Sequence, residues 1–226
     1  MAVRPVSTHP WDVSPAEART IQNRLCDRVR VEPLGCQPAV VAGVDVSVKG
    51  GVAKAAVVLL SYPDLVPFQA ATATLPVSFP YVPGLLAFRE GPVVFAALER
   101  LTSEPDVLMF DAQGLAHPRR MGLATHLGIL LDMPAVGCAK SRLCGREVVP
   151  GEEKGSWTPL EDRGEVIGAV VRTRSRVRPV YVSVGHRVDL ETAVFLVLSC
   201  ATKYRLPEPT RWAHRVAGGA VLPADR

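Results

Sequence analysis

The distribution of apolar and polar positions divides the chain into a helix, a β-meander and a longer alternating region. Ser14-Pro15-Ala16-Glu17 is a capping box with proline at the first helical position, and it opens an amphipathic helix predicted through about Val29. Three strand-like runs follow at 39–48, 53–62 and 68–77. Their connections, Lys49-Gly50-Gly51 and Pro63-Asp64-Leu65, are short and carry the turn chemistry of antiparallel hairpins. The pattern then changes to a helix from about Gly84 to Leu101, a buried strand at 106–112, a helix around 120–132 and a short strand at 134–139. A hairpin of 164–173 with 178–185 and a long helix over 189–204, capped by Asp189, complete the series. The simplest assembly is α/β, a mixed β-sheet flanked by helices on both faces. The segment 145–163 reads as a surface loop, and residues 1–10 and 218–226 as loose ends of one domain spanning 1–226.

Composition adds limits. With 226 residues, 48% hydrophobic and 21% charged, the chain can bury one sizeable core. Neither a signal-peptide start nor a membrane-length apolar run is visible, so a cytoplasmic protein with no membrane partner is expected. Five cysteines without CxxC spacing argue against a disulfide framework or a zinc site. The net charge of +4 is small, but only five of the 26 basic residues are Lys, and Arg suits bidentate phosphate contacts.

Three acids stand out. In 43–47, Gly-Val-Asp-Val-Ser, strand alternation puts Asp45 on one face between Gly43 and Ser47. It is either a solvent-facing strand residue or part of a ligand pocket with room beside the backbone. Asp111 ends the apolar run Val107-Leu108-Met109-Phe110, where open α/β sheets place their chemistry. Glu90 interrupts an otherwise apolar helix and reads by itself as a surface residue. If all three converge they need a cation, and hard oxygen ligands favour Mg²⁺ or Mn²⁺ and phosphoryl-transfer chemistry.

The stretches "GVDVS" (43–47), "FPYVPGLLAFRE" (79–90), "FDAQGLAHPRR" (110–120), "CAKSRLCG" (138–145) and "YRLPEPTRWAH" (204–214) occur in this order and spacing. On them the chain resembles endonuclease V, the deoxyinosine 3′ endonuclease family, from about residue 14 to 217. The resemblance implies a ribonuclease-H-like fold, with Asp45 and Asp111 as principal Mg²⁺ ligands and Glu90 completing the cluster. It implies that His214, in a short helix opened by Pro209-Thr210, helps position or deprotonate the attacking water. It gives Lys140 a contact to the scissile phosphate. It makes Pro80-Tyr81-Val82-Pro83 a wedge inserted at the lesion, with Tyr81 filling the space of a displaced base. Gly84, Leu85, Ala112, the Gln113-Gly114 turn and Leu143 lie at positions that line the base pocket. Ala112 departs from the Gly of many relatives and would be strained if its φ had to be positive. His117 is expected to touch a phosphate or to brace its loop, and Arg119 and Arg120 to face phosphate or solvent. The arginines of 172–178 should line one face of a hairpin.

The implied activity is hydrolysis of the second phosphodiester bond 3′ to deoxyinosine in DNA, leaving 3′-hydroxyl and 5′-phosphate ends, by a monomer. Three rivals remain: the same chemistry on inosine-containing RNA, a non-catalytic damaged-DNA-binding module, and a phosphoesterase acting on small nucleotides.

Overall fold

The computed structural model describes residues 3–222. In chain order the elements are α1 (Pro15–Leu25), β1 (Val40–Lys49), β2 (Val52–Ser61), β3 (Pro67–Pro76), α2 (Leu86–Leu98), β4 (Val107–Phe110), α3 (Leu123–Leu131), β5 (Ala135–Ala139), β6 (Arg146–Glu147), β7 (Trp157–Asp162), β8 (Glu165–Val171), β9 (Val180–His186), α4 (Leu190–Cys200) and α5 (Glu208–Ala217). The strands form one sheet in the order β3-β2-β1-β4-β5-β9-β8-β7-β6. The pairs β3/β2 and β2/β1 are antiparallel, as the short hairpin turns require, while β1/β4 and β4/β5 are parallel and are joined through α2 and α3.

Alternation assigns the two faces. Ala42 and Val44 of β1, with Val57 and Leu59 of β2, pack on Val94 and Leu98 of α2 and Leu127 and Leu130 of α3. On the other face Val41, Met109 and Val182 meet Val194 and Val197 of α4. Ala56, Val58 and Leu60 meet Ala213 and Val216 of α5 on that same side. Because it is covered on both faces, the interior of β2 is a continuous buried run.

Several expectations are corrected. The segment 145–163 is not only a loop, since β6 and β7 add two strands at the sheet edge. Residues 3–10 are not loose: Val3 is buried, the Val6 amide donates to Leu130 O at 2.8 Å, and His9 Nε2 is 2.6 Å from His126 Nε2. Residues 1–2 and 223–226 of the expected ends lie outside the described residues. The last long helix stops at Cys200, because Ala201 is already extended. The helix expected around 120–132 begins at Leu123, after Arg120 takes a left-handed φ of 54°. The arginines of 172–178 occupy the turn between β8 and β9 instead of a hairpin face. Arg172 is buried there, donating to the carbonyls of Pro150, Gly151 and Val177. All five cysteines are free thiols, with Cys138 and Cys200 buried. Among the described residues no helix is long and apolar enough to cross a membrane.

Candidate active site

The site forms where the parallel pair β1/β4 ends. Val44 is in register with Phe110, and the Asp111 amide donates to Val44 O at 3.2 Å, extending the pairing by one residue beside Asp45. Asp45 lies on the face covered by α5. That helix starts against Gly43, where a Cβ would come within 1.9 Å of Pro209 O. This close approach brings His214, two turns into α5, to Asp45: its Nδ1 lies 2.8 Å from Asp45 Oδ2. A carboxylate only accepts, so Nδ1 carries the hydrogen and Nε2 keeps its lone pair in the neutral ring.

Asp45, Asp111 and His214 each offer a ligand atom within 4.8 Å of the others. Among the described residues this is the one such cluster. The Asp111 side chain is 6% exposed, and Lys140 Nζ stands against its Oδ2 as an ion pair. Apart from that ammonium, this buried oxygen has no hydrogen-bond partner among the described residues. Glu90, on α2 at the opposite face of the sheet, lies outside the three-residue cluster but is close enough to feel the charges of Asp45 and Asp111. Burial above all, then the charge of Asp45, push its pKa up to about 8, with Arg89 opposing and Asp111 adding. Burial likewise raises Asp45, opposed by the hydrogen bond from His214 and supported by Asp111. Three crowded carboxyl groups and a single ammonium fit a hard divalent cation with oxygen ligands.

A cavity of about 390 Å³ opens onto Asp45 and Asp111. One wall is the segment from Tyr81 to Gly84, a second is Ala112 and Gln113, and a third runs from Lys140 to Leu143. Tyr81 is 72% exposed, while Phe79 and Leu85 on either side of it are buried beside Phe88. Arg89 reinforces that anchorage by donating to Phe79 O at 3.3 Å. The loop therefore presents an exposed ring from two fixed ends.

Some expected pocket residues are elsewhere. Leu85 points into the core and Gly114 is not in the cavity wall. Gly114 is small because a Cβ would come within 2.1 Å of Val184 O, and its amide donates to Ser183 Oγ at 2.8 Å. Pro80, expected in the wedge and not in the pocket, is exposed and does not line the cavity. Ala112 lines the cavity without a left-handed φ, so the strain considered for it is absent.

His117 braces the loop. Its Nδ1 accepts from the Arg119 and Met121 amides, which places the hydrogen on Nε2 for donation to Gly84 O at 3.0 Å. Burial first, with the nearby Arg119 charge, lowers its pKa to about 4. Arg119 donates to Gly84 O and to Gln22 Oε1, and Arg120 pairs with Asp162 and Glu165 on the β7–β8 hairpin. Both guanidinium groups thus bond within the protein.

Gln22 was not anticipated. Buried on α1, it donates through Nε2 to Gly84 O and Met121 O, tying the Tyr81–Gly84 loop to the segment just before α3. A polar side chain at the core spacing Ala18, Gln22, Leu25 was the available signal.

The endonuclease V family model matches residues 23–215. An endonuclease V of Roseiflexus sp. (strain RS-1) is 51% identical over 214 residues, covering 95% of this chain and 96% of that one. The crystal structure of endonuclease V from Streptomyces avermitilis superimposes with a TM-score of 0.89 at 44% identity, over 96% of each chain. The fold shared with these structures is ribonuclease-H-like. The Ciona intestinalis endonuclease V, crystallised with a 24mer DNA containing an inosine followed by a ribo-adenosine, matches with a TM-score of 0.77 at 29% identity, covering 90% of this chain and 95% of that one. With a family-model match and half-identical sequence running along nearly its whole length, this chain belongs to the endonuclease V family.

Proposed function

We propose that this chain is a Mg²⁺-dependent nuclease that recognises deoxyinosine in DNA and hydrolyses the second phosphodiester bond 3′ to it, leaving 3′-hydroxyl and 5′-phosphate ends. The observation that carries this reading is the adjacency of the 390 Å³ cavity and the carboxylate cluster, with Asp45 and Asp111 belonging to both.

Asp45, Asp111 and Glu90 would hold Mg²⁺, or Mn²⁺ in its place, and the bound ion supplies activation of water and stabilisation of phosphate charge. Asp45 orients His214 through Nδ1, leaving Nε2 to take a proton from the attacking water. Lys140 presents a compact positive charge to the phosphate undergoing attack. Tyr81, held between two prolines and two buried anchors, enters the base stack with little conformational entropy left to lose. Hypoxanthine differs from adenine by a carbonyl oxygen and a ring N–H, which backbone groups along the cavity distinguish by hydrogen bonding. Gln113 maintains the width of that cavity, its Nε2 donating to Ser141 O at 2.8 Å across the two walls.

A second reading, cleavage of inosine-containing RNA or mixed strands, is favoured by the ribo-adenosine after the inosine in the DNA bound to the Ciona relative. Single-turnover cleavage of matched DNA, RNA and DNA carrying one ribonucleotide 3′ to the inosine tests both. Fastest cutting of the all-DNA strand supports the first reading. Cutting only where a ribose follows the inosine supports the second, and nicking of adenine-containing controls at an equal rate contradicts both.

A further inference from the structure

Three recesses meet at Lys140: the cavity beside Tyr81, a smaller one against His214, and a cleft of about 270 Å³. The cleft is walled by Lys140, Arg142, Arg178 and Arg205, with Tyr181 and Glu147 at its side. It thus gathers four cations around one carboxylate, and that carboxylate is engaged by the Tyr181 hydroxyl. Arg205 is fixed in place, donating through one terminal nitrogen to Lys140 O at 2.6 Å and Pro179 O at 2.8 Å, while its buried Nε has no partner. Arg142 makes one bond, to Gly145 O at 3.2 Å. Arg178 is exposed and has no ion-pair partner among the described residues. Burial above all, with the Arg178 charge acting in the same direction, lowers the pKa of Arg205.

Even with Lys140 paired to Asp111, the three guanidinium groups of Arg142, Arg178 and Arg205 outnumber the one carboxylate, so the cleft keeps a net positive charge and focuses its field on whatever enters. Guanidinium groups add the planar donor geometry that matches phosphate oxygens. The backbone bond from Arg205 to Lys140 couples this cleft to the residue assigned to the scissile phosphate.

We propose that the cleft is a second phosphate site, holding a backbone phosphate of the bound nucleic acid other than the one that is cut. The inference rests on the nuclease reading above for the identity of the ligand. It implies that the cleft contributes affinity without regard to the lesion, because a phosphate carries no sequence information.

The test is fluorescence anisotropy of the full chain with an inosine-containing duplex and an undamaged duplex, with Ca²⁺ in place of Mg²⁺, over a series of salt concentrations. Arg178→Ala should weaken binding to both duplexes by the same factor and reduce the slope of log K against log salt by about 0.9 for each phosphate no longer neutralised. Arg178→Lys should retain the wild-type slope, and Arg142→Ala should repeat the weakening. Single-turnover cleavage of the inosine strand by wild type in Mg²⁺ is followed in parallel. Wild-type slopes and affinities for both alanine variants would overturn the proposal. If wild type nicks the inosine strand and those slopes do not change, the phosphate site fails alone. If wild type does not nick but the slope falls in Arg178→Ala, the nuclease reading fails and the phosphate site stands.

Discussion

Gly43→Ala tests how the sheet positions His214. The added Cβ would lie 1.9 Å from Pro209 O and 2.2 Å from its carbonyl carbon, where ordinary contact begins at 3.4 Å, a shortfall of about 1.5 Å. The obstructing atoms are backbone at the start of α5, so no side-chain rotation relieves the clash, and the helix must move away from β1. Overpacking of this kind costs about 1–3 kcal/mol. A shift of similar size at His214 would break its 2.8 Å contact with Asp45. Misplacing a catalytic group by ~1 Å can lower a rate by roughly 100-fold. The assay pairs urea unfolding with single-turnover cleavage of a deoxyinosine duplex in Mg²⁺. The expected result is a folded variant with a lower midpoint and a rate reduced by about two orders of magnitude. Affinity for the duplex with Ca²⁺ should stay near wild type, because Tyr81 and Leu143 lie on other segments of the chain. A variant that cleaves at the wild-type rate would refute the argument that Gly43 sets the His214 to Asp45 geometry.

Tyr81→Ala removes a ring that is mostly in solvent, so stability should change by less than ~0.5 kcal/mol. Discrimination between inosine and adenine duplexes should fall by about 1–3 kcal/mol, the worth of one stacked base, and equal discrimination in variant and wild type would contradict a wedge role. Acid stability should report His126, whose pKa is pushed down to about 3 by burial first and by His9 and His117 after it. Between pH 6.5 and 4.5 the unfolded chain takes up a proton that folded His126 refuses, so this residue's contribution to stability falls as pH falls, by about 1.4 kcal/mol per pH unit. Glu90, raised to about 8, binds its proton more readily when folded, so over the same range its contribution changes in the opposite sense. The readout is therefore the difference in slope, and urea midpoints of His126→Leu should decline less steeply with acid than those of wild type. Parallel slopes would mean that His126 is readily protonated in the folded protein.

The elements that carry the acids were legible because their signals are local. Alternation around Asp45 gave its face, and the buried run 107–110 gave the strand that ends just before Asp111. What was not legible depends on partners distant in sequence. Strand β7 buries only Leu160 and has a proline among its other positions, and only pairing with β6 and β8 makes it a strand. Residues 3–10 have no periodicity and are held by Leu130 and His126. The start of α2 at Leu86 follows from Gly84, whose φ of 80° turns its carbonyl toward Gln22, His117 and Arg119. Likewise Leu85 and Gly114 fall within pocket motifs yet serve packing, which no motif distinguishes from a role in binding. The basic cleft joins Lys140, Arg178 and Arg205 from three separate segments, so it exists only in the fold.

The most direct measurement is cleavage of an end-labelled duplex carrying one deoxyinosine, with and without Mg²⁺, beside Asp45→Ala. The account predicts a Mg²⁺-dependent nick at the second phosphodiester bond 3′ to the lesion, absent from the variant and from an undamaged duplex. A nick that persists in Asp45→Ala, or that needs no divalent cation, would contradict the assignment of the chemistry to this carboxylate cluster.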